Sequence, residues 1–164
     1  MFPAMRRSRQ ALSARESEEI LQRASAGVLA VAGAEGYPYA VPLNFVYADG
    51  KLYFHCAREG HKLDALRRCP KASFCVVDED RVVPQEYTSY FRSVIAFGTV
   101  RELTDEAEKR AAIETLARKY APEAEPADTE AEITRYWAPL CMLEMRVDCL
   151  TGKQAKELAA GLQR

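Results

Sequence analysis

Apolar and polar positions along this chain change their period several times, and each change marks an element. Ser13-Ala14-Arg15-Glu16 has the spacing of a capping box, in which the serine hydroxyl and the glutamate carboxylate each satisfy exposed amides at a helix start. Ile20, Leu21 and Ala24 then fall on one face, which predicts a helix from Ser13 to Ser25, stopped by Gly27. Val28 to Val31 reads as a short apolar strand and Gly33-Ala34-Glu35-Gly36 as a turn. Tyr39 to Tyr47 is the next strand. Ala48-Asp49-Gly50-Lys51 signals a hairpin, because Asp-Gly tolerates positive φ, and Lys51 to Cys56 is the return strand.

His61 to Cys69 has a short helical pattern ended by Pro70. Leu63 and Leu66 point inward, and Arg67 and Arg68 occupy the last turn, where positive charge is favoured. Ala72 to Val77 reads as a buried strand and the polar stretch Asp78 to Thr88, with Pro84, as a loop. From Tyr90 to Leu103 the alternation predicts a long strand, with Val94, Ala96, Gly98 and Val100 on one face and Ser93, Ile95, Phe97 and Thr99 on the other. Thr104 is placed to cap a helix whose first turn holds Asp105, Glu106 and Glu108 and which runs to Tyr120. Ala121 to Asp128 contains two prolines and reads as a loop; Thr129-Glu130-Ala131-Glu132, a second capping box, opens a short helix. Pro139 to Leu150 is the last strand and Gly152 to Leu162 a final helix. Strands mixed with helices, without regular βαβ repetition, predict a mainly β, α+β architecture: an antiparallel barrel decorated by helices.

Composition narrows the function classes. The 164 residues, 48% apolar and 29% charged, suit one globular domain over residues 1–164, with residues 1–12 as an N-terminal arm, either solvated or strapped across a neighbouring subunit. A net charge of −1 provides no electrostatic case for nucleic acid or an acidic membrane surface. The five cysteines are scattered singly, without CxxC or His/Cys ligand spacing, so neither a disulfide framework nor a metal site is expected. Arg6, Arg7 and Arg9 are followed by no apolar run, and no stretch has the length of a membrane span, which places the expected protein in the cytoplasm. No hydrolase elbow or paired-carboxylate site is present.

The candidate chemistry lies between Tyr37 and Lys62. A strand through Val41-Pro42-Leu43-Asn44, then a strand ending Tyr53-Phe54-His55-Cys56-Ala57, then Gly60-His61-Lys62, suits a ligand with an apolar planar body and an anionic tail. Amides at a helix start bind anions, and Lys62 adds a full charge. Proline in mid-strand belongs at an edge or beside a ligand, and the Asn44 amide offers an acceptor and two donors. Other readings stand beside these. His61 and Lys62 are also ordinary solvated loop residues, Asn44 a turn cap, His55 a structural histidine, and Ser93 a barrel-wall serine. Cys56 has no partner base to make it a nucleophile. Tyr136 and Trp137 either cover a ligand from a second subunit or pack helix on barrel. Thr151-Gly152-Lys153 is no phosphate loop, and Gly152 reads as a backbone device at a strand-to-helix junction.

The same motifs, with Ser93-Val94-Ile95-Ala96-Phe97-Gly98 and Thr151-Gly152-Lys153 in the same order, resemble the nitroimidazole-resistance (Nim) proteins of the pyridoxamine-phosphate-oxidase-like, flavin-binding split-barrel superfamily, from about Met5 to Lys156. The resemblance implies a six-stranded antiparallel split barrel with flanking helices. It also implies a homodimer holding FMN noncovalently at the interface. The ring would lie along Val41, Pro42, Leu43 and Asn44, with His55 and Ala57 beside it. His61 and Lys62 would hold the phosphate, and Ser93 would sit near it or at the dimer seam. The implied chemistry is reductive, from a nicotinamide cofactor, NADH or NADPH, through FMN to a small oxidised molecule, with no catalytic residue assigned. Other members hold haem or deazaflavin, so a non-catalytic flavin- or haem-binding sensor, with His55 or His61 as axial ligand, is the rival reading, and a cofactor-free dimeric scaffold a third. An arginine-rich motif for a substrate phosphate is missing, which argues against pyridoxamine-phosphate oxidation itself.

Overall fold

The computed structural model describes residues 2 and 4–161. Its strands are β1 (Ala26–Ala32), β2 (Pro38–Asn44), β3 (Val46–Ala48), β4 (Lys51–Ala57), β5 (Lys71–Val83), β6 (Thr88–Glu102) and β7 (Leu140–Gln154). The helices are α1 (Ala14–Arg23), α2 (His61–Arg68), α3 (Glu106–Tyr120), α4 (Pro126–Tyr136) and α5 (Lys156–Ala159). All strand pairs are antiparallel, in one seven-stranded sheet of order β2-β1-β5-β6-β7-β4-β3.

The count of seven against an expected six has one cause. The stretch expected as a single strand from Tyr39 to Tyr47 breaks at Phe45, and its two halves lie at opposite ends of the strand order. Residues adjacent in sequence therefore join the two edges of the sheet, and the sheet closes into a barrel with its split at this point. Phe45 is fully buried, with its ring edge-on to Phe74 at 4.7 Å between centroids. Its backbone N–H donates to the Tyr120 hydroxyl (2.9 Å), and its carbonyl accepts from Lys119 Nζ (2.9 Å). Lys119 Nζ also donates to the Ala24 carbonyl and the Tyr120 hydroxyl to the Ser25 carbonyl, both at 2.6 Å. The end of α3 thus satisfies backbone groups that the break in the ladder leaves unpaired.

Inside the barrel, Phe54, Phe74, Leu29, Val76, Val94, Leu143 and Met145 form the core, as the alternation of the long strand predicts. The face Val94, Ala96, Gly98, Val100 is turned inward, while Ser93, Ile95, Phe97 and Thr99 are half-buried on the outside. α1 adds Ile20 and Leu21 to this core and α2 adds Leu63 and Leu66. The capping box at Ser13 and Glu16 is present. Gly152 lies within β7 rather than at a strand-to-helix junction; a Cβ there would collide with the Ser17 hydroxyl and with Leu12, so it permits the close approach of α1 and the N-terminal arm. That arm is docked, not solvated, over its last residues: the Leu12 N–H donates to the Gly152 carbonyl at 2.9 Å.

Several other boundaries differ from expectation. Asp78 to Val83 continues β5 and pairs with Thr88 to Arg92, so the expected loop is the arm of a long hairpin turning at Pro84–Glu86 and Tyr87, which is left-handed at φ 50°. Polar side chains on a hairpin open to water on both faces look like a loop by composition. Asp105, not Thr104, caps α3, accepting from the Glu108 N–H at 2.9 Å. α4 begins at Pro126, three residues before the expected box at Thr129, because proline is well tolerated in the first turn. The final helix is only Lys156–Ala159; Leu162, its expected end, lies outside the described residues.

The outside of the sheet is covered unevenly. α3 packs on the outer face of β4 and β7 through Ala112, Leu103 and Met142. Over β2, β1, β5 and β6, one outward row across the sheet reads Pro42, Val28, Cys75, Ile95. Among the described residues no helix covers this face, and Val28, Val77 and Val82 are 39%, 62% and 66% exposed. No helix of the described residues is long and apolar enough to cross a membrane.

Candidate functional site

β2 is an edge strand whose hydrogen-bonding partner is β1, which explains why proline is accepted at position 42 in mid-strand. Val41 and Leu43 face the core, whereas Pro42 and Asn44 face out. Asn44 donates one amide hydrogen to the Ser25 carbonyl at 2.8 Å, so it caps the end of the strand, and among the described residues its carbonyl oxygen and second hydrogen have no partner.

On the far side of the split, β4 turns His55 and Ala57 outward. Gly60, at φ 137°, then swings the chain into α2, a backbone conformation that glycine adopts without strain. His61 and Lys62 are therefore the first two residues of a helix whose leading amides are open. The His61 ring packs edge-on to Tyr39 at 4.7 Å. Among the described residues Lys62 has no carboxylate partner. Its charge acts on its surroundings. His55 is open to solvent on one side, yet the walls around it and, secondarily, the Lys62 ammonium hold its pKa below the ordinary histidine value, so the imidazole is neutral at pH 7.

This fixes a pH dependence. The unfolded chain protonates His55 more readily than the folded one, so stability is full above about pH 6.5 and falls as pH drops through the depressed folded value. A ring-proton NMR titration, assigned with His61→Asn, is expected to place the His55 midpoint below the ordinary value and to move it upward in Lys62→Ala. A midpoint at or above the ordinary value would contradict the burial and charge argument.

His55 and Ala57 also form the floor of a cleft of about 570 Å³ between β4, α3 and α4. Its walls are mostly apolar: Ile113, Leu116, Ala117 and Ala121 from α3 side, Ile133 from α4, Leu140 from β7. The sequence signals these residues only as a stripe at helical spacing on α3, and such a stripe reads equally as core. Tyr136 lines the cleft, while Trp137 packs under the buried Lys109, whose ammonium lies 4.0 Å from the ring centroid.

Ser93 is not brought to the His61–Lys62 corner within one chain. Tyr39, the neighbour of His61, aligns through Val31 and Ala72 with Gly98, whereas Ser93 lies five residues along β6, opposite Val77 and Lys153. Cys56 and Cys141 face one another across β4 and β7. Burial raises both thiol pKa values, that of Cys141 to about 12, so neither is a nucleophile at neutral pH. All five cysteines are free, and no cluster among the described residues has the ligands for a metal ion.

Residues 13–154 match the family described as pyridoxamine 5'-phosphate oxidase. Among curated proteins none matches the chain. Solved structures do. A candidate 5-nitroimidazole antibiotic resistance protein from Bacteroides thetaiotaomicron is 27% identical, with 88% of this chain and 86% of that one covered and a TM-score of 0.74. An FAD-binding protein from Mesorhizobium loti is 26% identical over 89% and 97% of the two chains, with a TM-score of 0.64. An FAD- and haem-binding protein from Mycobacterium smegmatis shares the fold, at 21% identity, 93% and 80% coverage and a TM-score of 0.72.

Proposed function

This chain belongs to the pyridoxamine 5'-phosphate oxidase family, and on that premise we propose that it is a homodimeric flavoprotein that binds FMN and reduces a small oxidised molecule with electrons from a nicotinamide cofactor. The observation that carries the reading is the Lys62 ammonium. It has no carboxylate partner among the described residues, stands at an open helix start, and is close enough to lower the His55 pKa beside the outward faces of β2 and β4. A phosphate is the group such a corner accepts.

The remaining residues fit the group as well. Pro42 presents no N–H on the exposed side of β2, which leaves an apolar surface for a planar ring, and Asn44 keeps an acceptor and a donor for its polar edge. His55 and Ala57 would stand on the opposite side of the split. FMN, when bound, supplies the electron-transfer chemistry, while the protein supplies position and electrostatics. Neutral His55 can donate or accept one hydrogen bond and hold a proton at a ring nitrogen next to the reacting molecule. The uncovered apolar face containing Pro42, Val28 and Val77 supports a two-fold dimer, which would bury it. In such a dimer Ser93 of one subunit could approach the corner formed by the other.

A second reading, haem binding, is favoured by neutral His55 in a cleft of about 570 Å³. It is opposed by the carboxylates of Asp128 and Glu132 in the same lining, where haem propionates would meet like charge, and by the absence of any lysine or arginine there among the described residues. The visible spectrum of the purified protein, incubated with FMN or with haemin and desalted, separates the two. The expected result is the pair of visible flavin bands, bleached by a nicotinamide donor, on a particle that light scattering finds to be a dimer. A retained Soret band without flavin would transfer the reading to haem, and a monomer would remove the interface site.

A further inference from the structure

α4 places Asp128, Glu132 and Tyr136 four residues apart, in one stripe along the wall of the cleft, with Thr129 and Ile133 beside them. Packing and local electrostatics account poorly for this stripe. Like charges at a spacing of four repel across one helical turn. Asp128 is favoured in the first turn by the helix dipole, but Glu132 lies a turn beyond that benefit. Among the described residues neither carboxylate has an ion-pair or side-chain hydrogen-bond partner, although arginines on α3 and β6 pair with other acids: Arg110 on α3 bonds Glu114 and Glu130, and Arg101 on β6 bonds Glu108 and Glu144. The ring of Tyr136, whose face attracts cations, ends the stripe, with the Arg135 guanidinium 5.1 Å from its centroid. Leu116, Ala117 and Leu140 complete the apolar lining, and among the described residues no lysine or arginine lines the cleft.

We infer that the cleft binds a small molecule with an apolar, aromatic-sized body and a cationic group, the body against α3 and β7 and the cation against Asp128, Glu132 and Tyr136. The volume of about 570 Å³ falls within the usual range of roughly 300–1,000 Å³ for small-molecule sites. An anionic molecule would meet two carboxylates, and a neutral one would gain only the apolar contacts. The inference deepens the flavin reading and rests on it in one respect: beside His55 and Ala57 the molecule would be placed to meet a bound flavin as the second reactant.

The test uses three probes of one shape, 1-naphthylmethylammonium, 1-naphthylmethanol and 1-naphthylacetate, titrated into the full-length protein by calorimetry, without flavin and again with saturating FMN. The expected order of affinity is cation, then neutral, then anion, with the gap shrinking as salt is added. In the double variant Asp128→Asn, Glu132→Gln the cation should bind about two- to thirtyfold more weakly, as expected for two exposed charge contacts, while the neutral probe is unchanged. Both substitutions are nearly isosteric at exposed positions, so folding is preserved. No binding of any probe, a cation without advantage over the neutral probe, or an advantage that survives the double substitution would overturn the inference. FMN titration of the same samples keeps the two ideas apart. FMN binding without the probe order sinks the cleft assignment alone; the probe order without FMN binding sinks the flavin reading and leaves the cleft.

Discussion

Phe45→Ala is expected to cost about 3–5 kcal/mol of unfolding free energy, the range for emptying a buried phenylalanine site, and to lower the melting temperature by about 6–20 °C for a chain of this size. The position is more than a core site. Its ring fills the point where the sheet's two edges meet, against Phe74 and beneath the Lys119 ammonium, 4.1 Å from the centroid. Removing the ring leaves a cavity and removes an apolar and cation-attracting surface from a lysine whose ammonium otherwise donates to the Ala24 and Phe45 carbonyls, with burial already lowering its pKa. Phe45→Leu, which keeps most of the volume, should cost less. Chemical denaturation of the three proteins measures the difference, and a loss below about 1 kcal/mol for the alanine variant would mean that the closure does not depend on this side chain.

Lys62→Ala should weaken FMN binding by about 10- to 150-fold, since a hydrogen bond to a charged group is worth roughly 1.5–3 kcal/mol and each 1.4 kcal/mol is tenfold in affinity. Riboflavin, which lacks the phosphate, should lose far less, and that contrast distinguishes a phosphate contact from a loosened fold. Lys62 is a cleaner probe than His61, because His61 also packs on Tyr39 and its removal would mix two effects. Lys51, on the hairpin return, looks like a matched control in the sequence but is not one: its ammonium bonds the buried Glu144 at 2.9 Å. Lys156, 79% exposed in its side chain and with only a loose 3.6 Å pair to Glu157, serves instead. Flavin fluorescence titration reads all the pairs. Equal losses for FMN and riboflavin, or none for either, would return His61 and Lys62 to ordinary surface residues.

Which features were legible in the sequence follows from the range of the interactions that make them. The capping box at Ser13, the Asp49-Gly50 turn, the inward face Val94, Ala96, Gly98, Val100 and the Gly60-His61-Lys62 helix start are all present. Each depends on residues within a few positions of one another, so local spacing carries the information. The resemblance to a flavin-binding family, read from ordered motifs, agrees with the family match over residues 13–154. Features that rest on long-range partners are not legible locally. Asp78 to Val83 is a strand because Thr88 to Arg92 pairs with it, and the register of β5 and β6 sets Ser93 apart from the His61–Lys62 corner within one chain, leaving the dimer seam as its other expected place.

The tertiary structure alone decided where the apparent single strand from Tyr39 to Tyr47 breaks. Phe45 interrupts the ladder because its backbone groups find partners in Lys119 and Tyr120, some 75 positions away in sequence. It alone also opened a cleft behind His55, since the walls come from α3, α4 and β7, which lie far from β4 in the sequence and meet it only in the folded chain. The charge partners divide the same way: Arg15 with Glu19 is local, whereas Lys51 with Glu144 and Arg67 with Glu102 cross the fold. Local sequence determines which segments become helices and turns, because backbone conformation is chosen by neighbours; which surfaces face each other is chosen by burial, and burial is a property of the whole chain.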